Sequence, residues 1–244
     1  VGGQHQGIST STGGAVSVTH GGMLATRAGG SAGIVAQSVG GGGGVSTLAL
    51  RNATTAAIRQ EATLAIALGG EYASSTSGFG LAQVAGGAVS VANNVGRIAT
   101  QGWFAPGILA QSVGGGGGVA AVSSSASLGS IDIQLGSTAT AGGGPFLGSV
   151  TGAGGSVTVA NTGGSIATNG ALSFGVLAQS VGGGGGLVMV DNGAGPAANP
   201  ANLTFGSNTP MVGAGGSVTV TQDVGGSIVT AGTNSHGIVA QSIG

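Results

Sequence analysis

The sequence contains no cysteine and no lysine, and its charged residues are four arginines and five acids among 244 residues. Without cysteine, no disulfide stabilises the fold. Without lysine, a nucleotide-binding P-loop is excluded, because that motif needs a lysine for the phosphates. Nucleic-acid binding depends on clustered cations, which four arginines in a chain of net charge −1 do not supply. We therefore expect no nucleic-acid partner.

Long apolar runs are also missing from the sequence. No run reaches the roughly 18–20 residues that a membrane-spanning helix needs. No segment with the basic, apolar and small-residue parts of a secretory signal opens the chain. We expect any export signal to have been removed or to lie outside this stretch.

Glycine is abundant, with 58 residues, while aromatic residues make up only 3% of the chain. Disordered chains combine low hydrophobicity with high net charge, whereas this one has 41% hydrophobic residues and a net charge of −1. Each glycine inside a regular element costs about 0.5–1 kcal/mol relative to alanine. A stable fold must recover this cost through many small contributions, and repetition is the expected source.

One phrase, Gly-apolar-apolar-Ala-Gln-Ser-apolar, occurs four times, and the first three copies run into five glycines. Two shorter phrases, Val-x-Val and apolar-x-Thr, precede each copy. The Thr of the second phrase lies eleven positions before the Gln of the main phrase in all four copies. The spacing between successive Gln residues shrinks from 74 to 68 to 62 positions. Length therefore varies only after the glycine run, which is typical of rigid stacked units that carry loops of free length.

These phrases read as short strands, because they alternate with period two, are rich in Val, Ile and Thr, and are bounded by glycine. We predict an all-β fold, a three-sided and right-handed parallel β-solenoid with about two turns per 62–74-residue repeat. The whole chain, residues 1–244, then forms one repetitive domain with units at about 13–85, 86–153, 154–214 and 215–244, the last truncated. A helix over Ala56 to Leu68 is an alternative, but the matching stretches of later units favour a strand. A Greek-key sandwich would not explain the constant Thr-to-Gln spacing.

The main phrase with its five glycines, together with the upstream Gly-Gly-x-Val-x-Val and Ser-Ile-x-Thr phrases, resembles the Gly-rich repeats of large autotransporter adhesins of Gram-negative bacteria. The resemblance covers essentially the whole chain. It implies a β-helical passenger region exported to the cell surface, with adhesion, aggregation or matrix assembly as its role. The implied partners are a host or surface receptor, a glycan or further copies of the chain, and outer-membrane anchoring would use parts absent from this chain.

The chain lacks the translocator domain of that family, and it begins and ends within the repeat pattern. Two alternatives follow: an excerpt of a longer adhesin array, or a fibre subunit that stacks end to end as a head-to-tail homo-oligomer.

Catalytic and metal-binding patterns are not found. The calcium-binding β-roll needs aspartates in its glycine-rich turns, and the glycine runs here have none. The five acids are scattered at non-equivalent repeat positions, and the three histidines have no acidic neighbour. We expect no enzyme activity, no cofactor and no metal. A β-helical polysaccharide-active enzyme is a weaker alternative, which would need acids grouped on one wall.

Six residues of constant number and changing identity lie between each repeated Thr and the next Gly, as expected for a solenoid corner. The candidate partner-binding residues at these corners are Arg27, Trp103, Phe104, Leu172, Phe174 and His236. Exposed aromatic residues along one edge would suit a partner or a glycan. The alternative is that these side chains fold over and cover the thin core locally.

The main strand carries apolar residues on both faces, which predicts that its outer side is also covered, by the variable loops or by a neighbouring chain. The glutamines of the four copies, Gln37, Gln111, Gln179 and Gln241, are predicted to stack into an amide ladder. Alternatively, each Gln bonds nearby backbone groups at a glycine corner.

Overall fold

The computed structural model describes residues 4–6, 12–50, 63–69, 71–73, 84–124, 130–136, 138–140, 150–191, 201–206 and 211–244. All regular structure within these ranges is β-strand. In chain order the strands are β1 (Gln4–Gln6), β2 (Val16–His20), β3 (Met23–Thr26), β4 (Ile34–Val39), β5 (Gly43–Leu50), β6 (Thr63–Leu68), β7 (Glu71–Ala73), β8 (Val89–Asn94), β9 (Arg97–Thr100), β10 (Ile108–Val113), β11 (Gly117–Ser124), β12 (Ser130–Leu135), β13 (Thr138–Thr140), β14 (Val150–Thr151), β15 (Val157–Thr162), β16 (Ser165–Thr168), β17 (Val176–Val181), β18 (Gly185–Asp191), β19 (Ala201–Phe205), β20 (Met211–Val212), β21 (Val218–Gln222), β22 (Ser227–Thr230) and β23 (Ile238–Ile243).

The prediction of a strand rather than a helix in the stretch Ala56 to Leu68 is confirmed for its last part, β6. Residues 56–62 lie outside the described residues.

The strands form seven parallel sheets, each of which takes one strand from successive repeats. We number them by their order along one repeat: sheet I (β2, β8, β15, β21), sheet II (β3, β9, β16, β22), sheet III (β4, β10, β17, β23), sheet IV (β5, β11, β18), sheet V (β6, β12, β19), sheet VI (β1, β7, β13) and sheet VII (β14, β20). This all-β architecture of parallel sheets with strands stacked in register is compatible with the predicted parallel β-solenoid.

The register of sheet III shows how the repeats stack. Gln111 pairs with Gln37 of the preceding repeat and with Gln179 of the following one. The predicted two turns per repeat is therefore wrong: each repeat makes one turn, because equivalent strands of consecutive repeats pair directly. The predicted three-sided coil is wrong for the same reason, since one turn passes through more than three sheets. Each repeat adds only one strand spacing, about 4.8 Å, along the stacking axis.

The first core lies among sheets I, II and III. Val89 and Val91 of β8 point inward, while Ser90 between them is exposed, as period-two alternation requires. They pack in one cluster with Ile98 of β9 and Ile108 of β10. Valine and isoleucine suit this position because their branched side chains fill a pleated, half-buried surface.

A second core lies between sheets IV and V. Ala120 and Val122 of β11 contact Ile131 and Ile133 of β12 in this cluster. Sheets IV and V are thus a second lobe of the same turn and not a second turn of the coil.

A third core joins the two lobes and covers the outer face of sheet III. Leu109 and Leu177 of sheet III pack there against Val119 and Ala121 of sheet IV. Strand β11 therefore has both faces buried, one on each core. The prediction that the outer side of the main strand is covered is confirmed, and the cover comes from the same chain.

The glycine runs form the corner between sheets III and IV. Gly115 and Gly116 have φ of +82° and +80°, a region that other residues rarely adopt. Successive runs bond through their backbones, with Gly116 N donating to Gly40 O at 2.8 Å. At this corner the backbones of successive glycine runs stack directly on one another without side chains, and the turn that they make places sheet IV against sheet III.

Candidate functional site

The six-residue corners after sheet II are closed by the repeated threonine. Thr168 Oγ1 donates to the carbonyl oxygen of Ser173 at 2.7 Å, five residues further along the chain. The same bond links Thr26 to Ser31, Thr100 to Ala105 and Thr230 to Ser235. This contact explains the constant corner length, since one more or one fewer residue would move the carbonyl away from the hydroxyl.

The fourth corner residue has a positive φ in every turn. The residues are Gly30 (+72°), Phe104 (+42°), Leu172 (+55°) and Asn234 (+54°). A residue other than glycine pays about 1–2 kcal/mol for this conformation. The shape of the corner is thus kept even where phenylalanine and leucine occupy the position.

The aromatic side chains of these corners point inward. Phe104 is 1% exposed and Phe174 is 4% exposed, and both belong to the third core, with Trp103 packed against it. Of the two alternatives, the structure therefore confirms the second for Phe104 and Phe174: they fold over and cover a core, because the outer face of sheet III offers them an apolar surface. Leu172 is half-buried.

Arg27 and His236 are the exposed members of the predicted corner set. The His236 ring stacks on Phe174 with centroids 5.8 Å apart. Partner binding at these corners stays a prediction. Its remaining candidates are the exposed Arg27 and His236 and the half-buried Trp103 and Leu172.

The structure brings the four predicted glutamines together in a single ladder on the outer side of sheet III. Gln37 Nε2 donates to Gln111 Oε1 at 2.6 Å, Gln111 to Gln179 at 2.7 Å and Gln179 to Gln241 at 3.0 Å. Gln111 and Gln179 are buried, and Gln111 Nε2 also lies 3.3 Å from Gly118 O. Gln111 therefore takes part both in the predicted amide ladder and in a bond to the backbone of the glycine corner, and the bonds of the ladder are the shorter ones.

A second polar column, which sequence reasoning missed, ties sheet III to the segments that precede sheet I. Ser112 Oγ donates to Gly87 O and accepts from Gly155 N, each at 2.8 Å. The equivalent bonds join Ser38 to Gly14 and Gly87, Ser180 to Gly155 and Gly216, and Ser242 to Gly216. The signal was the Ser that follows Gln in every copy, together with the Gly-Gly pair before each Val-x-Val strand.

A third column, also missed, lies at the end of sheet I. Asn93 Nδ2 donates to Asn161 Oδ1 at 2.7 Å, and Asn161 Nδ2 donates to Gln222 Oε1 at 2.8 Å. In the first turn His20 holds this position, paired in register with Asn93. His20 Nε2 and Asn93 Oδ1 are both buried and have no hydrogen-bond partner among the described residues. The amide column is therefore incomplete at its first turn.

We expect His20→Asn to stabilise the first turn by about 1 kcal/mol, because the new amide donates to Asn93 Oδ1, which now has no partner. The measurement is hydrogen exchange of the β2 amides, which should slow about fivefold for this free energy. The exposed neighbour Thr19→Asn serves as the control and should leave exchange unchanged. Equal or faster exchange in the His20 variant would show that the column does not extend.

The described carboxylates do not converge. Asp132 accepts from Asn202 Nδ2 at 2.7 Å, Asp191 lies 3.3 Å from Ser123 Oγ, and Asp223 caps its own turn by accepting from the Val224 amide. In the described part of the chain no group of three or more His, Cys, Asp or Glu side chains is placed to hold a metal ion. None of the described segments is a helix long and apolar enough to cross a membrane.

No family model, no curated protein and no solved structure matches this chain.

Proposed function

We propose that this chain is a non-enzymatic structural and adhesive segment of a bacterial cell-surface protein, built as a right-handed parallel β-solenoid. It acts outside the cell in attachment, aggregation or matrix assembly, anchored to the outer membrane through segments other than these residues. Its partners are a host or surface receptor, a glycan or further copies of the chain.

The observation that carries this proposal is that the buried polar side chains bond one turn to the next or close the corners of a turn. The glutamine ladder, the serine–glycine column and the threonine bonds run along the stacking axis or close corners. These bonds hold successive turns in register and close the corners of each turn, and among the described residues they leave no set of buried polar side chains aimed at one cleft. Such a distribution favours a stiff wall over an active site, whose catalytic groups must converge.

The outer faces support a role in contact with surfaces. On sheet I the exposed residues at one position are Ser17, Ser90, Thr158 and Thr219, which align in register through all four turns. With a net charge of −1, the chain has little long-range repulsion against other copies or against anionic surfaces.

We expect beads coated with the purified chain to aggregate, or to attach to bacterial cells or immobilised glycans, above the level of beads coated with the same chain denatured by heat before coating. Attachment depends on the folded outer faces, so denaturation removes it. Equal behaviour of both coatings would contradict the adhesive role.

A self-assembling fibre subunit is the second candidate, favoured by the repeated phrase of sheet III. Strands with this phrase pair in parallel and in register within the chain, so strands of separate copies can pair in the same way. Electron microscopy of the purified chain separates the candidates. Uniform filaments would favour the subunit, and single short particles the adhesin segment.

A further inference from the structure

The outer face of sheet II carries three columns of aligned side chains that run along the stacking axis. The first column starts each strand, the second lies two residues further on, and the third directly follows each repeated threonine. Backbone bonds from Gln101 N to Thr26 O and from Asn169 N to Thr100 O continue the ladder into the third column. The columns are Met23, Arg97, Ser165 and Ser227; Ala25, Ala99, Ala167 and Val229; and Arg27, Gln101, Asn169 and Ala231.

The middle column is lower than its neighbours, so this face is a shallow groove. Alanine occupies the middle position in three of the four turns, whereas the columns beside it carry arginine, glutamine and asparagine. Outward-facing residues of a strand lie two positions apart, so the two flanking columns are about 13 Å apart. Four stacked turns make the groove about 14 Å long. Its shape therefore suits a narrow linear molecule that lies along the stacking axis.

The groove carries positive charge only. Arg97 in one flanking column and Arg27 in the other are both exposed, and no acidic residue belongs to any of the three columns. The three described aspartates form hydrogen bonds with an asparagine, a serine and a backbone amide, and no arginine is among those partners. An anionic ligand would therefore meet two guanidinium groups that no described carboxylate neutralises.

The two arginines lie on opposite sides of the groove and one turn apart. Arg27 belongs to the first turn and Arg97 to the second, about 4.8 Å further along the stacking axis. In an extended β-1,4-linked polysaccharide, each sugar is rotated by half a turn relative to the last, so equivalent substituents of successive sugars point to opposite edges. A linear chain of uronic acids presents its carboxylates in this alternation. Each guanidinium can then bind one carboxylate through two parallel hydrogen bonds.

The other side chains of the groove suit a molecule rich in hydroxyl groups. The exposed amides of Gln101 and Asn169 and the hydroxyl of Ser165 can each donate and accept hydrogen bonds. The methyl groups of Ala99 and Ala167 form a small apolar floor against which the C–H face of a sugar ring can lie.

Two other polyanions fit this face less well. Nucleic acid needs clustered cations and exposed aromatic side chains for base stacking, and the three columns hold two arginines and no aromatic residue. An acidic peptide binds a sheet chiefly by backbone pairing at an edge, whereas this groove lies on a face whose backbone groups pair between turns.

We propose that the groove of sheet II binds a linear β-1,4-linked polyuronic acid along the stacking axis, with carboxylates of successive sugars on Arg27 and Arg97. This proposal rests on the proposed function, in which a glycan is one of the partners. It adds the chemical class of the glycan and the place where it binds.

The test titrates fluorescently labelled tetramannuronate with the whole 244-residue chain and follows fluorescence anisotropy. We expect saturable binding that weakens as salt is added, because the arginines are exposed. Mannotetraose has the same linkage without the carboxylates and should bind at least about tenfold more weakly. Absence of saturable binding, equal binding of mannotetraose, or tighter binding of single-stranded DNA or polyglutamate would overturn the proposal.

Charge variants of the protein test the two arginines. We expect Arg27→Gln and Arg97→Gln each to weaken tetramannuronate binding about fivefold, the upper range for an exposed ion pair. Asp223→Asn is the control for net charge, since Asp223 lies in the corner before β22, outside the three columns. It should change the affinity by less than about twofold. Native affinity in both arginine variants would refute the site.

A steric variant tests the floor of the groove. Ala99→Leu places a larger side chain where the sugar ring lies, and we expect about tenfold weaker binding with native circular dichroism. Ala92→Leu is the matched control, because Ala92 is equally half-buried in the same turn but belongs to sheet I. Equal affinities of the two folded variants would show that the ligand does not lie in this groove.

The bead experiment separates failure of this site from failure of the adhesive role. Beads that attach to cells although the chain does not bind tetramannuronate would overturn the site and leave the adhesive role in place. A chain that binds tetramannuronate, but whose beads neither aggregate nor attach, would keep the site and contradict the adhesive role.

Discussion

Gly118→Ala is expected to destabilise the protein by about 3–5 kcal/mol, enough to disrupt stacking of the second turn. Gly118 has φ of +144°, and a Cβ on it would lie 1.8 Å from Gly44 O and 2.8 Å from Gly44 C. Alanine therefore suffers both an unfavourable backbone conformation and a collision with the adjacent turn. The collision is with backbone, and it is relieved only by separating strands β5 and β11 of sheet IV.

Urea unfolding followed by circular dichroism and by the fluorescence of Trp103, the single tryptophan, measures this effect. Trp103 packs against the third core and reports on its opening. Gly14→Ala is the matched control, because a Cβ there has no neighbour within 4 Å, and we expect a change below about 0.5 kcal/mol. Similar midpoints for the two variants would show that the glycine corner tolerates side chains.

Gln111→Leu is expected to cost about 2–5 kcal/mol, because it leaves two groups of the ladder without a partner. Gln37 Nε2 loses its acceptor, and the buried Gln179 Oε1 loses its donor. Leucine has a similar volume, so the loss reports on the amide bonds more than on packing. The same unfolding measurement applies.

Gln241→Leu is the comparison variant for the ladder, since Gln241 is exposed and takes part in the ladder by accepting the hydrogen bond from Gln179. We expect it to cost about 1–2 kcal/mol, less than Gln111→Leu, because it leaves one group of the ladder, Gln179 Nε2, without a partner instead of two. In the double variant Gln111→Leu with Gln179→Leu, the total should be smaller than the sum, because the second change removes a group that the first had left unpaired. Strict additivity would mean that the two glutamines do not interact.

Much of the sheet architecture was predictable from the repeat. Period-two alternation of Val, Ile and Thr between glycines predicts strands, and the constant Thr-to-Gln spacing predicts that equal residues stack. The alignment of Gln37 with Gln111 follows directly from that stacking. Because the main strand carries apolar residues on both faces, the sequence likewise predicted that its outer face is covered.

The number of turns per repeat was not predictable in the same way. Alternation shows which residues of a strand face the same side, but it does not show which other strand packs against that side. Strands β11 and β12 have the local pattern of any buried strand, and only their contacts reveal a second lobe instead of another turn. The serine–glycine column escaped notice for a similar reason, because Ser112 and Gly155 lie 43 positions apart.

The sequence by itself determined the strands, their register and the glutamine ladder, because these follow from local alternation and from exact repetition of short phrases. Tertiary structure alone decided that one repeat makes one turn and that Phe104 and Phe174 point inward. Both depend on the path of the backbone after the glycine run, which lays sheet IV on the outer face of sheet III. Glycine allows many paths at such a corner, and the burial of apolar area on both faces of sheet IV selects this one.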